Sequence, residues 1–358
     1  MKVGIVGLPN AGKSTLFNAL TAGGAQTAGY AFTTIDPNVA IAGVPDKRLV
    51  AIAETLGSSA LVPATVEFHD IAGLVRGASQ GEGLGNQFLG AIRETDAICH
   101  VVRAHADSDV PHPEGSVDPS ADIETIESEL LLADLEQAER RLERVTKQAR
   151  SLDPEAVAEQ GWLERVVEAL GRGEPVRSVE VPKAAGAADM RLNALTSKPV
   201  LFVANVDEGD ADVPGPVATA AAERGAAAVA VSARVEAELR ELEPEEAASM
   251  GEELGLPEVS GLERLVRAAY ELLGLITFFT ADRDKEAWAR SLRRGSTAWD
   301  AAGKIHREIQ ERFVRAEVIG WEDLISARTW ATAREQALLR TEGRDYVVTD
   351  GDVVHIKA

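Results

Sequence analysis

The sequence contains little cysteine and few aromatic residues. Of its 358 residues only Cys99 is a cysteine, and aromatic residues make up 4%. A single cysteine excludes an intramolecular disulfide and a metal site built from several cysteines. Because Cys99 lies in the apolar run 97–102, we interpret it as a buried strand residue.

Long apolar runs are also missing. No stretch approaches the roughly 18 consecutive apolar residues of a membrane-spanning helix. The apolar residues within 1–7 form too short a run for a signal peptide, and glycine interrupts them. We therefore expect a protein of the cytoplasm with no membrane partner.

Basic residues are outnumbered by acidic ones. The chain has 37 Lys and Arg against 58 Asp and Glu, a formal net charge of −21. A protein that coats nucleic acid neutralises phosphates with clustered cations, so this charge argues against such a surface. Residues 275–358 hold 14 basic and 14 acidic residues, so the whole excess lies in 1–274. A nucleic-acid partner would have to meet a local patch in the neutral C-terminal part.

Short β-branched runs alternate with helical patterns, and the length allows two or three domains. Several runs are apolar without alternation, which is typical of a parallel sheet covered by helices on both faces. Helical patterns lie between them, for instance at 14–22 and 261–274. The order of elements predicts a doubly wound α/β domain. The predicted strands are 3–6, 65–68, 97–102, 200–203 and 229–231.

Between the strands at 97–102 and 200–203 the composition shifts to Ala, Glu, Leu and Arg. A second helical segment in this interval follows Pro154 and ends near Gly171. We predict an inserted α-helical coiled-coil hairpin at 122–198; the alternative is a pair of ordinary amphipathic helices of the core domain. The hairpin rests on a heptad seam formed by Leu131, Leu135, Ala138, Leu142, Val145 and Ala149.

The C-terminal part, 275–358, has a different pattern. It predicts a strand at 277–280 and a helix at 297–312. Two short strands, 346–348 and 353–356, flank the turn 349–352 and predict a β-hairpin. We expect a small α+β module here, which leaves 1–121 and 199–274 for the α/β domain.

The segment after the first predicted strand fits the phosphate-binding pattern G-x-x-x-x-G-K-[ST]. Its glycines allow backbone amides to wrap phosphates, Lys13 is placed to reach the β- and γ-phosphate oxygens, and Ser14 to bind Mg²⁺. The pattern lies where its mechanism requires it, after a strand and at the start of a helix. Its residues are Gly7-Leu8-Pro9-Asn10-Ala11-Gly12-Lys13-Ser14.

Four further elements occur in the order found in Ras-like P-loop proteins. Asp70 begins a D-x-x-G element that ends at Gly73; the aspartate assists magnesium without being a direct ligand, and the glycine amide senses the γ-phosphate. Thr33-Thr34 offers a switch threonine as a magnesium ligand. Residues 205–208 follow one predicted strand and 232–234 follow the next. Together the five elements predict a nucleotide site at the strand ends.

The base-recognition element departs from the guanine-binding pattern Asn-Lys-x-Asp. Val206 replaces the lysine, and Glu208 stands in the position of the aspartate. The longer carboxylate cannot hold the same geometry toward guanine. The amide of Asn205 has the donor and acceptor to meet adenine N6 and N7 bidentately. The sequence therefore favours an adenine nucleotide.

The position of the catalytic glutamine in Ras-like proteins also differs in this sequence. Leu74 stands where a glutamine would orient the attacking water, so either hydrolysis is slow or another group positions the water. His112, in a loop, is suited to acid–base work near neutral pH; the alternative is a solvated loop histidine. Its rivals Gln80, Glu82 and Asn86 lie in a glycine-rich run that predicts a mobile switch.

Five stretches together resemble the YchF/Obg-like ATPases, a family of translation-factor-related P-loop proteins, and the likeness covers essentially the whole chain. It implies a Ras-like P-loop domain of OBG type, an inserted helical hairpin and a C-terminal β-grasp (TGS) domain at 275–358. The stretches are 7–15, 70–75, 81–89, the N-x-x-E element at 205–208, and the closing residues 345–353.

The resemblance also implies functional residues. The flexible-loop histidine of the family falls on His112, and the phosphate-loop asparagine of its potassium-dependent relatives falls on Asn10. Magnesium ligation falls on Ser14 and Thr34. The nucleotide contacts then comprise Asn10, Ala11, Gly12, Lys13, Ser14, Thr15 and Gly73 at the phosphates, and Asn205, Val206, Ser232 and Ala233 at the adenine.

The resemblance implies hydrolysis of ATP in preference to GTP and association with ribosomes. We expect a slow, Mg²⁺-dependent monomeric ATPase that acts as a nucleotide-state switch. Arg290, Arg293 and Arg294 offer a patch for ribosomal RNA; a solvated charged surface is the alternative. Two other functions stay open: a GTPase of Obg type, and an adaptor whose nucleotide is structural, which Leu74 favours.

Overall fold

The computed structural model describes residues 1–24, 38–71, 84–106, 110–113, 115–282 and 284–358. Five of the residues discussed above, Thr34, Gly73, Leu74, Gln80 and Glu82, lie outside this part of the chain, as does Thr33. Within it, no helix is both long enough and apolar enough to cross a membrane.

The strands are numbered in chain order. They are β1 (Lys2–Val6), β2 (Val39–Gly43), β3 (Ala60–Val62), β4 (Thr65–Asp70), β5 (Ala97–Arg103), β6 (Val200–Asn205), β7 (Ala227–Val231), β8 (Leu275–Thr280), β9 (Glu286–Arg293), β10 (Arg315–Gly320), β11 (Arg340–Glu342) and β12 (Asp352–Lys357).

The helices are numbered in the same way. They are α1 (Lys13–Gly24), α2 (Lys47–Leu56), α3 (Leu84–Arg93), α4 (Pro119–Ala149), α5 (Pro154–Gly171), α6 (Ala188–Leu192), α7 (Gly215–Glu223), α8 (Ala233–Arg240), α9 (Pro244–Glu253), α10 (Gly261–Leu272), α11 (Ala298–Ile305), α12 (Arg307–Glu311), α13 (Trp321–Ala327) and α14 (Trp330–Glu335).

Two compact units divide the chain: the first comprises 1–19 and 68–261, the second 20–67 and 262–358. The first unit contains a sheet of order β4-β1-β5-β6-β7, in which β1, β5, β6 and β7 pair in parallel. All seven residues of β5 are buried, as expected of a central parallel strand. The strands predicted from apolar runs are confirmed, and the α/β P-loop fold with them. Their carboxyl ends share one edge, where ligands of such sheets bind.

Helix α4 links this sheet to a second apolar core. It begins after Asp118, whose side chain caps the amides of Ser120 and Ala121. Its first half packs Ile126 and Leu130 against the sheet core. Its second half packs the predicted seam against Trp162 and Val166 of α5, since four residues return the chain between the two helices. The seam is confirmed, whereas the boundaries 122–198 stay a prediction, and residue 122 falls inside α4.

The second unit contains a mixed sheet of order β11-β10-β12-β8-β9-β3. Its core is formed by Phe278, Leu292 and Val318 together with α11. The strand β3 comes from the early part of the chain and pairs in parallel with β9, so that Ala60 lies opposite Glu286. The assignment of a TGS domain to 275–358 stays a prediction.

Two predicted elements of the C-terminal part are wrong. The helix at 297–312 is broken at His306, whose extended backbone ends α11 and whose side chain caps α12. The hairpin around 349–352 does not form, because residues 346–348 bond to 296–298 instead, through Ala298 to Tyr346 and Val348 to Ser296. Strand β12 pairs with β10 and β8.

Candidate functional site: the phosphate loop and its surroundings

The backbone of the phosphate loop is shaped by residues that tolerate unusual conformations or close approach. A Cβ on Gly12 would lie 2.2 Å from Nδ2 of Asn205, and the φ of Gly12 is +97°. A Cβ on Gly7 would lie 2.3 Å from the carbonyl oxygen of Val101. Asn10 has a φ of 65°, which asparagine adopts more readily than most residues. No larger side chain fits at either glycine without moving the loop.

Lys13 is buried at the first turn of α1. Only 8% of it is exposed, and its Nζ donates a hydrogen bond of 2.8 Å to the carbonyl oxygen of Leu8. Burial lowers the pKa of Lys13, and the negative charge of Asp70 opposes this shift. Burial in turn raises the pKa of Asp70, opposed by Lys13. A cation held out of water in this way favours the arrival of a negatively charged group.

Asn205, at the carboxyl end of β6, joins the phosphate loop to the segment after β7. Its Nδ2 donates to the carbonyl oxygen of Ala11 at 3.1 Å, and its Oδ1 accepts from the amide of Ala233 at 3.1 Å. Each end of the amide therefore already has a backbone partner. The bidentate adenine contact predicted for Asn205 would have to use the one donor and one acceptor position that remain.

A cavity of about 520 Å³ lies beside this junction, within the size range of small-molecule sites. Ser14 and Thr15 are exposed along it, at the start of α1 where backbone amides attract anions. The cavity brings together most of the predicted nucleotide contacts with residues not predicted. Its lining comprises Asn10, Gly12, Lys13, Ser14, Thr15, His105, Val110, Asn205, Val206, Asp207, Glu208, Ser232, Ala233, Arg234 and Val235.

The far end of the cavity carries the base-recognition element. Val206 is buried, and its amide donates to the carbonyl oxygen of Val231. Asp207 accepts from the amide of Ala106 at 3.2 Å, which ties this end to the loop after β5. Glu208 is exposed in the cavity lining. The position held by lysine in guanine-binding relatives is thus an apolar part of the wall.

The loop 110–113 is fastened at three consecutive residues. Arg103, at the end of β5, donates to the carbonyl oxygen of Val110 at 2.9 Å. Asn10 donates from Nδ2 to the carbonyl oxygen of Pro111 at 3.0 Å. His112 forms a hydrogen bond from Nε2 to Oδ2 of Asp122 at 3.1 Å, and both side chains are 5% exposed.

The predicted catalytic histidine is therefore not solvated. Its side chain is held against the first turn of α4, whereas Val110 lines the nucleotide cavity. The interpretation of His112 as an ordinary solvated loop histidine is wrong, because it is buried and paired with a carboxylate. Its catalytic role stays a prediction, and that role requires the ring to leave Asp122.

Sequence reasoning did not single out Arg103 or Asp122. Arg103 is 2% exposed at the end of an otherwise apolar strand, a combination visible in the sequence as one cation after six uncharged residues. Asp122 gave no such signal, because acidic residues are common in the first turn of a helix.

The structure also changes the predicted RNA patch. Arg290 lies over the ring of Trp288 at 4.5 Å from its centroid, and it donates to Thr280 and to the carbonyl oxygen of Lys304. Burial lowers its pKa. Arg290 is thus occupied within its own unit and is a poor candidate for contact with phosphates.

Two family models match the chain. One, described as a 50S ribosome-binding GTPase, covers residues 2–145. The other, YchF-GTPase_C, is described as a protein of unknown function and covers residues 275–358.

Curated relatives match over the full length. A protein of Bacillus subtilis named ribosome-binding ATPase YchF is 48% identical, and the match covers 100% of this chain and 99% of the relative. The chain belongs to the YchF family. A relative of the same name from Escherichia coli O157:H7 is 47% identical over 99% of this chain and 98% of its own.

A solved structure agrees with this membership. The Schizosaccharomyces pombe YchF GTPase superposes with a TM-score of 0.87 at 34% identity, and the match covers 100% of this chain and 97% of that one. The resemblance inferred from the five sequence stretches is confirmed, and so is the fold class at the level of a YchF-type P-loop protein.

Proposed function

We propose that this protein is a ribosome-associated ATPase that hydrolyses ATP to ADP and phosphate in the cytoplasm. The observation that carries the proposal is the phosphate loop with its buried Lys13, which opens into a cavity large enough for a nucleotide. The curated relatives are named ribosome-binding ATPases at close to half identity over the whole chain. Both point to a P-loop nucleotide hydrolase.

Adenine is the base that the far end of the cavity favours. The stem of a lysine that would pack on a guanine nucleotide is absent, since buried Val206 takes its place. Glu208 keeps a carboxylate in the cavity lining, which supports GTP as a second, weaker substrate. This second candidate agrees with the GTPase names of the S. pombe structure and of the matched family model.

The residues present fit a magnesium ion beside the phosphates. Ser14 offers a hydroxyl oxygen in the lining of the cavity, and the carboxylate of Asp70 lies at the carboxyl end of β4. Oxygen donors of this kind are what Mg²⁺ prefers. Bound there by Ser14 and Thr34, the ion would neutralise charge on the β- and γ-phosphates.

The chain's own side chains supply the remaining chemistry. Lys13 exchanges its contact with Leu8 for the phosphate oxygens, whose negative charge favours the protonated form that burial disfavours. His112 accepts a proton from the attacking water at a ring nitrogen once the ring has left Asp122. The carboxylate of Asp122 can then accept hydrogen bonds from other groups.

A series of hydrogen bonds connects the phosphate loop to the helical hairpin, and it supports a nucleotide-state switch. Asn10 in the phosphate loop bonds to Pro111, and the next residue, His112, bonds to Asp122 on α4. Helix α4 continues into the hairpin with α5. A change at Asn10, including a K⁺ ion held by its side chain at the phosphates, would alter this chain of contacts.

Titration calorimetry with ATP and GTP, both as magnesium complexes, tests the base preference. We expect ATP to bind at least tenfold more tightly; a preference for GTP of that size would reject the adenine assignment. In the double variant Val206→Lys, Glu208→Asp we expect the ratio to shift toward GTP, with Glu241→Asp as a matched surface control.

Single-turnover hydrolysis by His112→Ala tests the catalytic role. General acid–base catalysis contributes about 10²–10⁴-fold, so we expect a loss of that order with ATP affinity nearly unchanged. An unchanged rate would remove His112 from the mechanism.

Sedimentation with purified ribosomes under ATP, ADP and no nucleotide separates a switch from an adaptor. State-dependent association supports the switch. Association that is equal in all three states supports an adaptor with a structural nucleotide. Gel filtration of the protein alone tests the proposed monomeric state, for which we expect elution at the size of one chain.

A further inference from the structure

A second cavity, of about 610 Å³, lies in the first unit at the base of the helical hairpin. Its walls come from β5, the first half of α4, the segment 173–178 that leaves the hairpin, residues 195–200, and the end of α7. None of its described lining residues belongs to the nucleotide cavity. Its volume is in the middle of the range for small-molecule sites.

The floor of this cavity carries a buried histidine. His100 is 3% exposed and stacks at a tilt on Phe202, with ring centroids 5.4 Å apart. No described residue forms a hydrogen bond with its ring nitrogens. Burial, with smaller effects from Arg224 and Lys13, lowers the pKa of His100 to about 3. The ring is therefore neutral at physiological pH, with one N–H donor and one acceptor, and it belongs to the lining of the cavity.

Buried polar groups are nearly always hydrogen-bonded, and an unbonded one costs free energy. Apart from Thr196, the other buried residues of the lining are apolar, and they include Ile98, Ile126 and Leu130. A ligand that fills this floor would have an apolar body and one neutral group to bond His100.

The mouth of the cavity carries an arginine that no carboxylate of the described residues approaches within ion-pair distance. Arg177 is exposed and donates to the carbonyl oxygen of Thr196 at 3.1 Å, and it forms no ion pair with a described residue. The other arginine of the lining, Arg224, is held by both oxygens of Glu127, at 2.7 and 2.8 Å. Glu127 attracts Arg177 from beyond ion-pair distance, but its oxygens are bonded to Arg224, so Arg177 is the arginine of the lining whose guanidinium no carboxylate bonds.

We propose that this cavity binds a small, mostly apolar carboxylate with a hydroxyl group at its far end. The carboxylate pairs with Arg177 at the mouth, the apolar body lies against Ile98, Ile126 and Leu130, and the hydroxyl bonds to His100. A ligand bound in the cavity would contact both α4 and residues 173–178, the segment that leaves the hairpin. The site is distinct from the nucleotide cavity, because the two share no described lining residue.

Three small molecules test the proposal in the full-length protein. 3-(4-Hydroxyphenyl)propanoate carries both polar ends, 3-phenylpropanoate lacks the hydroxyl, and tyramine replaces the carboxylate with an ammonium group. Protein-observed NMR titration measures each Kd. From the size of the first molecule we expect a Kd of about 2 mM or tighter. Tyramine should bind at least about tenfold more weakly.

Two variants locate the ligand. Arg177→Gln, at the exposed mouth, should weaken both carboxylates about tenfold, whereas the exposed Arg150→Gln serves as a matched control and should change neither. His100→Phe should weaken the hydroxylated ligand about fivefold and leave 3-phenylpropanoate unchanged. Circular dichroism and ATP affinity verify that each variant is folded.

Three outcomes would overturn the proposal: no saturable binding of the hydroxylated carboxylate, equal binding of tyramine, or an unchanged Kd in Arg177→Gln. Arg177 is exposed, so we expect Arg177→Gln to fold normally. The Kd of the carboxylates in this variant therefore tests the proposal even if His100→Phe fails to fold.

Discussion

The side-chain amide of Asn10 donates a hydrogen bond of 3.0 Å to the carbonyl oxygen of Pro111. Asn10 sits at the turn of the phosphate loop with a φ of 65°, and Pro111 immediately precedes His112. The part of the chain that meets phosphates is thereby bonded to the part that holds the proposed catalytic histidine. Nucleotide binding and histidine position should therefore be coupled.

Replacing Asn10 with glycine should break this coupling without straining the backbone, because glycine readily adopts positive φ. We expect faster amide hydrogen exchange at Val110 and His112, the two residues of the loop 110–113 that carry an amide hydrogen, and a rate of hydrolysis that no longer responds to exchanging K⁺ for Na⁺. Exchange measured by mass spectrometry and phosphate release in the two salts provide the readout. Unaltered exchange in the loop would mean that the Asn10 bond does not restrain it.

Weakening the contact between Asp122 and His112 should speed hydrolysis. Asp122→Asn keeps the shape and an acceptor oxygen but removes the charge, so the resting position of His112 loses about 1 kcal/mol. If His112 must leave Asp122 to act, single-turnover hydrolysis should rise about fivefold.

A fall in rate for Asp122→Asn would assign the carboxylate a supporting role during catalysis instead. The exposed Glu124→Gln, on the same turn of α4, is the matched control and should leave the rate unchanged.

Removing the charge of Lys13 should stabilise the nucleotide-free protein. Lys13 is buried, its Nζ donates to the carbonyl oxygen of Leu8, and burial lowers its pKa. Lys13→Met keeps the length, so we expect the melting temperature to rise by about 2–4 °C while ATP affinity falls at least about tenfold. The exposed Lys147→Met should shift the melting temperature by no more than about 1 °C.

The stability gained in Lys13→Met should depend on pH, because burial lowers the pKa of Lys13 in the folded protein. A lysine whose folded pKa is lowered destabilises the fold wherever it is charged in both states. The gain in Lys13→Met should be complete below the folded pKa of Lys13 and should vanish as the pH rises through that value toward about 10.4, the pKa in the unfolded chain. Urea unfolding across this range measures it, and a gain that grows with pH would contradict the buried-charge interpretation.

His100 should make the protein sensitive to acid. Its pKa is about 3 in the folded protein, mainly because of burial, and about 6.5 when unfolded, so the unfolded state binds one more proton between these values. The difference in unfolding free energy between wild type and His100→Phe should fall by about 1.4 kcal/mol per pH unit from about pH 6 to 4. Above neutral pH the difference should be constant; a flat difference at all pH values would show that His100 becomes charged in place.

The sheet of the first unit was predictable because its strands are buried on both faces and therefore read as uninterrupted apolar runs. The phosphate loop was predictable because Gly7, Gly12 and Lys13 are local requirements of phosphate binding. Their spacing is fixed by the backbone of one turn, so the sequence alone carries it.

Contacts between distant segments could not be predicted. The pairing of His112 with Asp122 depends on where α4 begins, and the bonds of Asn205 to Ala11 and Ala233 depend on the distance between strand ends. The predicted hairpin at 349–352 failed for the same reason: its turn residues are favourable, but residues 346–348 find partners at 296–298. The local sequence pattern around the turn contains no information about partners fifty residues away in the chain.

The pairing of β3 with β9 has a consequence for biosynthesis. Ala60 reaches its partner Glu286 only after roughly 220 more residues have been translated, which at about 5–20 residues per second takes on the order of 10–45 s. During that time the apolar strand edge of β3 is uncovered on the nascent chain. The stretch around β3 should therefore expose an unpaired strand edge for most of the time that the protein is being made.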